Sequence, residues 1–210
     1  MQERNIKSSS VIRIVDDDEG LRDALHLLLT YEGWTVKTYP NAKAFLTSDM
    51  PSTPGCLILD YLMPETNGID LLKIMKERGY HLPVIVLTGH ADVDIAVGSF
   101  RAGAVDFLKK PIDEELLLAT LEEHLTEHFY KTRGLPSPKE LHEVVDGFTD
   151  RERNVFELML QNLTPTAIGE RLGLSNRTVY EYRSSIYRKL WTRDLSQLPL
   201  ENFPAGFSGN

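Results

Sequence analysis

The sequence predicts a doubly wound, parallel five-stranded α/β domain followed by a small all-α helix-turn-helix domain. Short apolar runs at 11–15, 35–39, 56–60, 83–87 and 104–108 alternate with amphipathic helical stretches, the pattern of a parallel sheet with crossover helices. Four of those runs end on polar or charged residues, so a shared sheet edge would collect them. Beyond residue 148 the pattern changes to three capped helical segments, with a glycine turn between the last two.

Each element has a local reason. The run 11–15 enters Asp16-Asp17-Asp18-Glu19 with no glycine-rich turn, which argues against a dinucleotide-binding fold. Leu21, Ala24, Leu25, Leu28 and Leu29 share one helix face before Gly33 stops the segment. Residues 35–39 alternate as a strand, and 41–48 form a short helix. Cys56 to Leu59 is an apolar run that stops on Asp60, between Pro51, Pro54 and Gly55 and Pro64, Asn67 and Gly68, as expected of a strand buried on both faces. Helices over 68–78, 92–100 and 113 to about 128 complete the first domain. Residues 1–10 are polar and read as a frayed leader. Gly134, Pro136 and Pro138 mark 125–147 as a helix extension and linker. The expected boundaries are a first domain at 1–124, a second at 148–198 and a tail at 199–210.

A chain of 210 residues accommodates two such domains. It has no apolar stretch of the roughly 20 residues needed to span a bilayer and no signal-peptide pattern, so no membrane partner is expected. A single cysteine, Cys56, excludes a disulfide within the chain, and the expected location is cytoplasmic. The net charge of −8 is uneven: residues 1–124 hold 12 Lys+Arg against 20 Asp+Glu, and 125–210 hold 11 against 11. Within 171–193, six basic residues face only Glu181, a balance that fits a polyanionic partner.

The chemistry converges on Asp60. A strand-end aspartate alone can do no more than cap a turn. Here Asp16 and Asp17 end the first strand, Thr88 the fourth, and Lys109-Lys110-Pro111 the fifth. Crowded carboxylates need a cation, and an all-oxygen set suits Mg²⁺. A carboxylate beside Mg²⁺, a lysine and a hydroxyl can accept a phosphoryl group. His26, His81, His124 and His128 show no metal spacing; His90 sits two residues after Thr88.

Val15-Asp16-Asp17, Asp60 with Met63-Pro64 and Gly68, Thr88-Gly89, and Phe107-Leu108-Lys109-Lys110-Pro111 resemble the receiver domain of two-component response regulators over about the first 125 residues. The resemblance implies that Asp60 is phosphorylated by a cognate sensor histidine kinase. It implies that Asp16, Asp17, Asp60 and the Leu62 backbone carbonyl hold Mg²⁺, and that Thr88, Phe107 and Lys110 are the switch residues. By the same analogy Leu62 and His90 flank the approach of water to the acyl phosphate and set its lifetime, here expected to be long. The chain is thus expected to take up phosphate and lose it slowly, without turnover as an enzyme.

The second domain opens on the capping box Thr149-Asp150-Arg151-Glu152. Thr164-Pro165 starts a short helix ended by Gly173, and Ser175 caps the last helix, 176 to about 190. Phe148 to Glu152, Ile168 to Ser175, Thr178-Val179 and Arg188-Lys189-Leu190 resemble the LuxR-type DNA-binding domain, with Asn162, Gly169 and Tyr182 where glycine, alanine and histidine are usual. The combination resembles NarL/FixJ-type regulators and implies a transcription factor that binds double-stranded promoter DNA and forms a homodimer on phosphorylation. On a helical wheel Val179, Ile186 and Leu190 face inward, with Tyr182 and Arg183 at the edges. Arg177, Glu181, Ser184 and Arg188, with Tyr180 beside them, face the major groove. Thr178, Arg183 and Lys189 are assigned to phosphates. Two alternatives are a metal-dependent phosphatase using Asp16 and Asp18 as an Asp-x-Asp pair, and a receiver that acts only through protein contacts.

Overall fold

The computed structural model describes residues 2–89 and 93–199. The chain divides into two compact units, residues 1–128 and 129–210. In the first, strands β1 (Val11–Val15), β2 (Thr35–Tyr39), β3 (Gly55–Asp60), β4 (Val84–Thr88) and β5 (Asp106–Lys109) form one parallel sheet in the order β2-β1-β3-β4-β5. Helices α2 (Glu19–Tyr31), α3 (Ala42–Ser48), α4 (Gly68–Glu77), α5 (Val93–Ala102) and α6 (Glu114–Lys131) connect or follow the strands. The chain leaves β1 for one edge and returns to β3 on its other side. That reversal opens a crevice beyond the carboxyl ends of β1 and β3.

All six residues of β3 are buried, as expected of a central strand covered on both faces. Leu57 and Leu59 pack with Val15, Val86, Phe45, Leu71 and Met75 in one apolar cluster. Ile58 and Cys56 point to the opposite face and are equally inaccessible. The helices begin where local chemistry supplies a cap: Asp18 accepts from Leu21 N at 3.1 Å, Asn67 from Asp70 N at 2.9 Å and Asp113 from Leu116 N at 3.0 Å.

Two expectations are corrected. Residues 2–9 form a helix, α1 (Gln2–Ser9), in place of a frayed leader. Ile6 is buried, and the Lys7 ammonium lies 3.2 Å from the Glu122 carboxylate, 3.3 Å from the Glu32 carbonyl and 5.0 Å from the centre of the Trp34 ring. One apolar contact and one cation over an indole anchor a segment whose composition is polar.

The second correction concerns 125–147. Helix α6 runs to Lys131, and the stretch expected to be linker contains α7 (Pro138–Asp146). Ser137 and Glu140 form a reciprocal capping box, and Pro138 occupies the helix start, where its missing N–H costs nothing. Leu141 and Val145 join the core of the second unit, with Phe148, Val155, Phe156, Ile168, Val179, Ile186 and Leu190. That core also holds α8 (Asp150–Leu160), α9 (Pro165–Leu172) and α10 (Asn176–Lys189).

One strand residue breaks the apolar rule. Arg13 in β1 is fully buried; its guanidinium lies 2.8 Å from the Asp49 carboxylate, also inaccessible, and donates to the carbonyls of Val11 at 3.0 Å and Thr53 at 2.9 Å. Tyr39 donates to Asp49 at 3.1 Å, and burial together with that carboxylate pushes its phenol up to about 12. Charge is tolerated here because every partner is present.

Candidate functional site

The strand ends assemble one pocket. Asp60 is the last residue of β3 and 5% exposed, while Asp16, next after β1, is fully buried. The carboxylate oxygens of Asp16, Asp17 and Asp60 lie within 4.8 Å of one another. The Lys110 ammonium bridges two of them, 2.7 Å from Asp16 Oδ2 and 2.7 Å from Asp60 Oδ1. Lys110 is carried there by β5, and its N–H donates to the Thr88 carbonyl at 2.8 Å, tying the ends of β4 and β5 together.

Local geometry holds these groups. Asp16 accepts from the Asp18 N–H at 2.9 Å, and its carbonyl accepts from Arg22 at 2.8 Å. The turn after Asp60 closes through Gly68, whose N–H donates to the Tyr61 carbonyl at 2.9 Å. A Cβ at Gly68 would lie 2.7 Å from the Asp60 carbonyl oxygen, so only glycine permits this approach.

Burial pushes the Asp60 carboxyl up; the Lys110 hydrogen bond opposes this, and the charges of Asp16 and Asp17 add to it. Burial alone would lower Lys110, but its hydrogen bonds to Asp16 and Asp60 outweigh that and raise it. One ammonium among three carboxylates leaves two negative charges, which a divalent cation would neutralise. All donors are hard oxygens, and the residues present therefore fit Mg²⁺.

Thr88 ends β4 and is buried. Phe107 lies in β5, half-buried against the core, and its ring meets that of Phe100 edge-on at 5.9 Å. Phe100 sits on α5 and is half-exposed; the sequence reading did not single it out. Leu62 is exposed. His90 lies outside the described residues, as do Asp92, expected to open α5, and nearly all of the tail. Asp18 caps α2 and is not in the carboxylate cluster, which removes the second member of the Asp-x-Asp pair.

In the second unit, Val179, Ile186 and Leu190 are buried and Tyr182 packs half-buried against them. Tyr182 therefore serves the core. Arg177, Tyr180, Glu181, Ser184 and Arg188 are exposed and Arg183 is partly so; Arg177 pairs with Glu181 at 3.2 Å across one helical turn. The Thr178 hydroxyl lies 2.8 Å from that of Ser175 at the helix start. Asn162 takes a left-handed φ of 58° after α8, a conformation asparagine tolerates better than most residues. This accounts for its place where glycine is usual.

Lys189 has a partner within the second unit. Its ammonium lies 2.7 Å from the buried carboxylate of Glu152 on α8, which also accepts from Ser185 at 2.9 Å and from the Thr149 N–H at 3.0 Å and hydroxyl at 2.9 Å. Burial would raise Glu152, but these hydrogen bonds, that of Lys189 foremost, bring it down to about 2. Lys189 therefore holds α10 to α8. A depressed carboxyl stabilises the fold above its ordinary value of 4.5, and this contribution is lost as pH falls toward about 2. Glu152→Gln should cost the second unit about 3 kcal/mol at neutral pH. Melting between pH 7 and pH 3 checks this: the substituted protein should show a flatter pH dependence, and equal slopes would refute the assignment.

Comparison with known proteins identifies both domains. Residues 12–122 match the response regulator receiver domain, and residues 146–200 match the luxR family of bacterial regulatory proteins. The transcriptional regulatory protein FixJ of Azorhizobium caulinodans is 36% identical over 187 residues, 89% of each chain. The chain belongs to the response regulators of the NarL/FixJ type. The response regulator protein TodT of Pseudomonas putida is 35% identical over 190 residues, 90% of this chain and 84% of its own. A crystal structure of full-length FixJ from B. japonicum aligns with a TM-score of 0.57 at 34% identity, covering 89% of this chain and 92% of that one. This regulator therefore joins a receiver to a LuxR-type DNA-binding domain and acts in transcription; its family is not one of turnover enzymes. Among the described residues no helix is long and apolar enough to cross a membrane.

Proposed function

We propose that this regulator is switched by phosphorylation of Asp60 from a cognate sensor histidine kinase and then binds promoter DNA as a homodimer in the cytoplasm. The observation that carries the reading is the Lys110 ammonium set between Asp16 and Asp60 beside Asp17. In phosphoryl transfer a carboxylate oxygen of Asp60 forms the new bond to phosphorus while the bond to the donor breaks, and the donor leaves with the electron pair. Asp16, Asp17 and Asp60 with the Leu62 carbonyl would hold Mg²⁺, which when bound would neutralise charge on the phosphoryl oxygens. Lys110 offsets the charge of about −1.5 to −2 that the new group carries, and the Thr88 hydroxyl binds another of its oxygens. Phe107 follows Thr88, and its edge contact passes the change to Phe100 on α5. Val97, Phe100 and Leu116 expose apolar area on α5 and α6, consistent with a dimer surface there. Leu62 and His90 shield the acyl phosphate from water and make its decay slow.

On α10, Arg177 reads guanine, Glu181 accepts from a cytosine amino group, and Ser184 and Arg188 share the groove face, with Thr178, Tyr180 and Arg183 at its borders. Selection of duplexes from a random pool, with and without a small phosphodonor, tests the reading. One motif repeated at two half-sites should be enriched, more strongly with phosphodonor. Glu181→Ala should relax preference at one base pair by about 1–3 kcal/mol. Failure to enrich any duplex would refute the DNA-directed reading, and enrichment indifferent to phosphodonor would refute phosphate control.

A further inference from the structure

Helix α10 ends in an unusual way. The Trp191 N–H donates to the Arg188 carbonyl at 3.3 Å and the Thr192 N–H to the Tyr187 carbonyl at 3.3 Å. This pair of bonds defines a helix end whose closing residue is left-handed and usually glycine. Here that residue is Trp191, at φ 49°, an uncommon conformation for a bulky side chain. Burial of the ring does not compensate, because Trp191 is 67% exposed.

Trp191 has company. At about 100° per residue, Tyr180 and Tyr187 lie within about 20° of each other on α10, and Trp191 follows just past its end. With Arg183, Arg188 and Arg193 they line an open groove of about 710 Å³, and among the described residues none that lines it is acidic. The Arg183 guanidinium lies 5.7 Å from the centre of the Tyr187 ring and donates to its hydroxyl at 3.5 Å, so part of the groove is already ordered. Guanidinium groups interleaved with rings suit a chain that alternates anionic and flat apolar groups. The sugar-phosphate backbone of DNA is such a chain.

The groove's position agrees with that occupant. Its aromatic side is centred only about 50° around α10 from the most exposed side, marked by Arg177 and Ser184, and Ser184 belongs to both. The opposite flank is closed, because Ser185 and Lys189 are both bonded to Glu152 on α8. If α10 lies in the major groove, as proposed above and as this inference requires, the aromatic flank faces one wall of that groove. We propose that Tyr187, Trp191 and Arg193, with Arg183, clamp the backbone of one DNA strand beside the base pairs that α10 reads. Phosphates meet the guanidinium groups and deoxyribose rings lie on the indole.

The test uses the full chain and a duplex enriched from the random pool. Only two tryptophans are present, and Trp34 is buried, so quenching of fluorescence by acrylamide reports on Trp191. Adding duplex should protect Trp191. Trp191→Gly places the best-fitting residue at the left-handed position, so its melting temperature should hold or rise while affinity for the duplex falls about tenfold. Arg193→Gln should reduce the slope of log affinity against log salt by about 0.9. Duplex binding that leaves Trp191 fully quenchable, with both variants binding like the parent, would overturn the clamp and spare the DNA-binding reading. Protection that depends on protein concentration without DNA would assign the groove to a second copy and overturn the clamp. No duplex binding by the parent would overturn both.

Discussion

Asp60→Asn is expected to abolish phosphoryl uptake from kinase or small phosphodonor and leave the receiver folded. Asparagine keeps the shape and one oxygen for Lys110, 2.7 Å away in the parent, but it has no carboxylate to attack phosphorus. Because burial raises the Asp60 carboxyl, its ionised form costs folding free energy at neutral pH. The substitution should therefore leave the melting temperature unchanged or slightly higher. Intact-protein mass spectrometry after treatment with phosphodonor checks the first part, and a thermal melt the second. Phosphate on another residue in the variant would overturn the assignment, and loss of the fold would show that Asp60 is needed for structure.

Arg13→Ala should destabilise the receiver by about 3–5 kcal/mol, a large share of the 5–15 kcal/mol typical of a domain. The substitution strands the Asp49 carboxylate, which has no solvent access and retains the Tyr39 hydroxyl as a side-chain partner at 3.1 Å. It also removes the guanidinium donors from the Val11 and Thr53 carbonyls. Arg13→Met combined with Asp49→Leu should recover much of the loss, because no uncompensated charge remains. Urea unfolding of the parent, the single variant and the double variant measures both steps. A single-variant cost below about 1 kcal/mol would mean that water reaches the pair and the network does not hold the sheet.

The alternation of apolar runs with amphipathic helices was enough to read the sheet, since a parallel strand must be apolar on both faces and its crossover helix on one. Strand ends were legible for the same reason: a carboxylate that stops an apolar run, as Asp60 does after Cys56 to Leu59, stands where the chain leaves the core. Capping patterns located α8, α9 and α10 because a cap and its helix lie within three residues of each other. The same local pattern, Ser137 to Glu140, marks α7, but Gly134, Pro136 and Pro138 beside it carry the stronger signal of a linker.

By itself, then, the sequence determined the order of the strands and of every helix but α1 and α7, the set of strand-end residues and the inward face of α10, all of which follow from periodicity and nearest-neighbour chemistry. Tertiary structure alone decided which charges have partners. Lys110 meets Asp16 across 94 positions, Arg13 meets Asp49 across 36, and Lys189 meets Glu152 across 37. A lysine or arginine in a sequence looks the same whether it will face phosphate, water or a buried carboxylate. The difference lies in desolvation and in a partner within about 4 Å, and both exist only once distant segments have packed together.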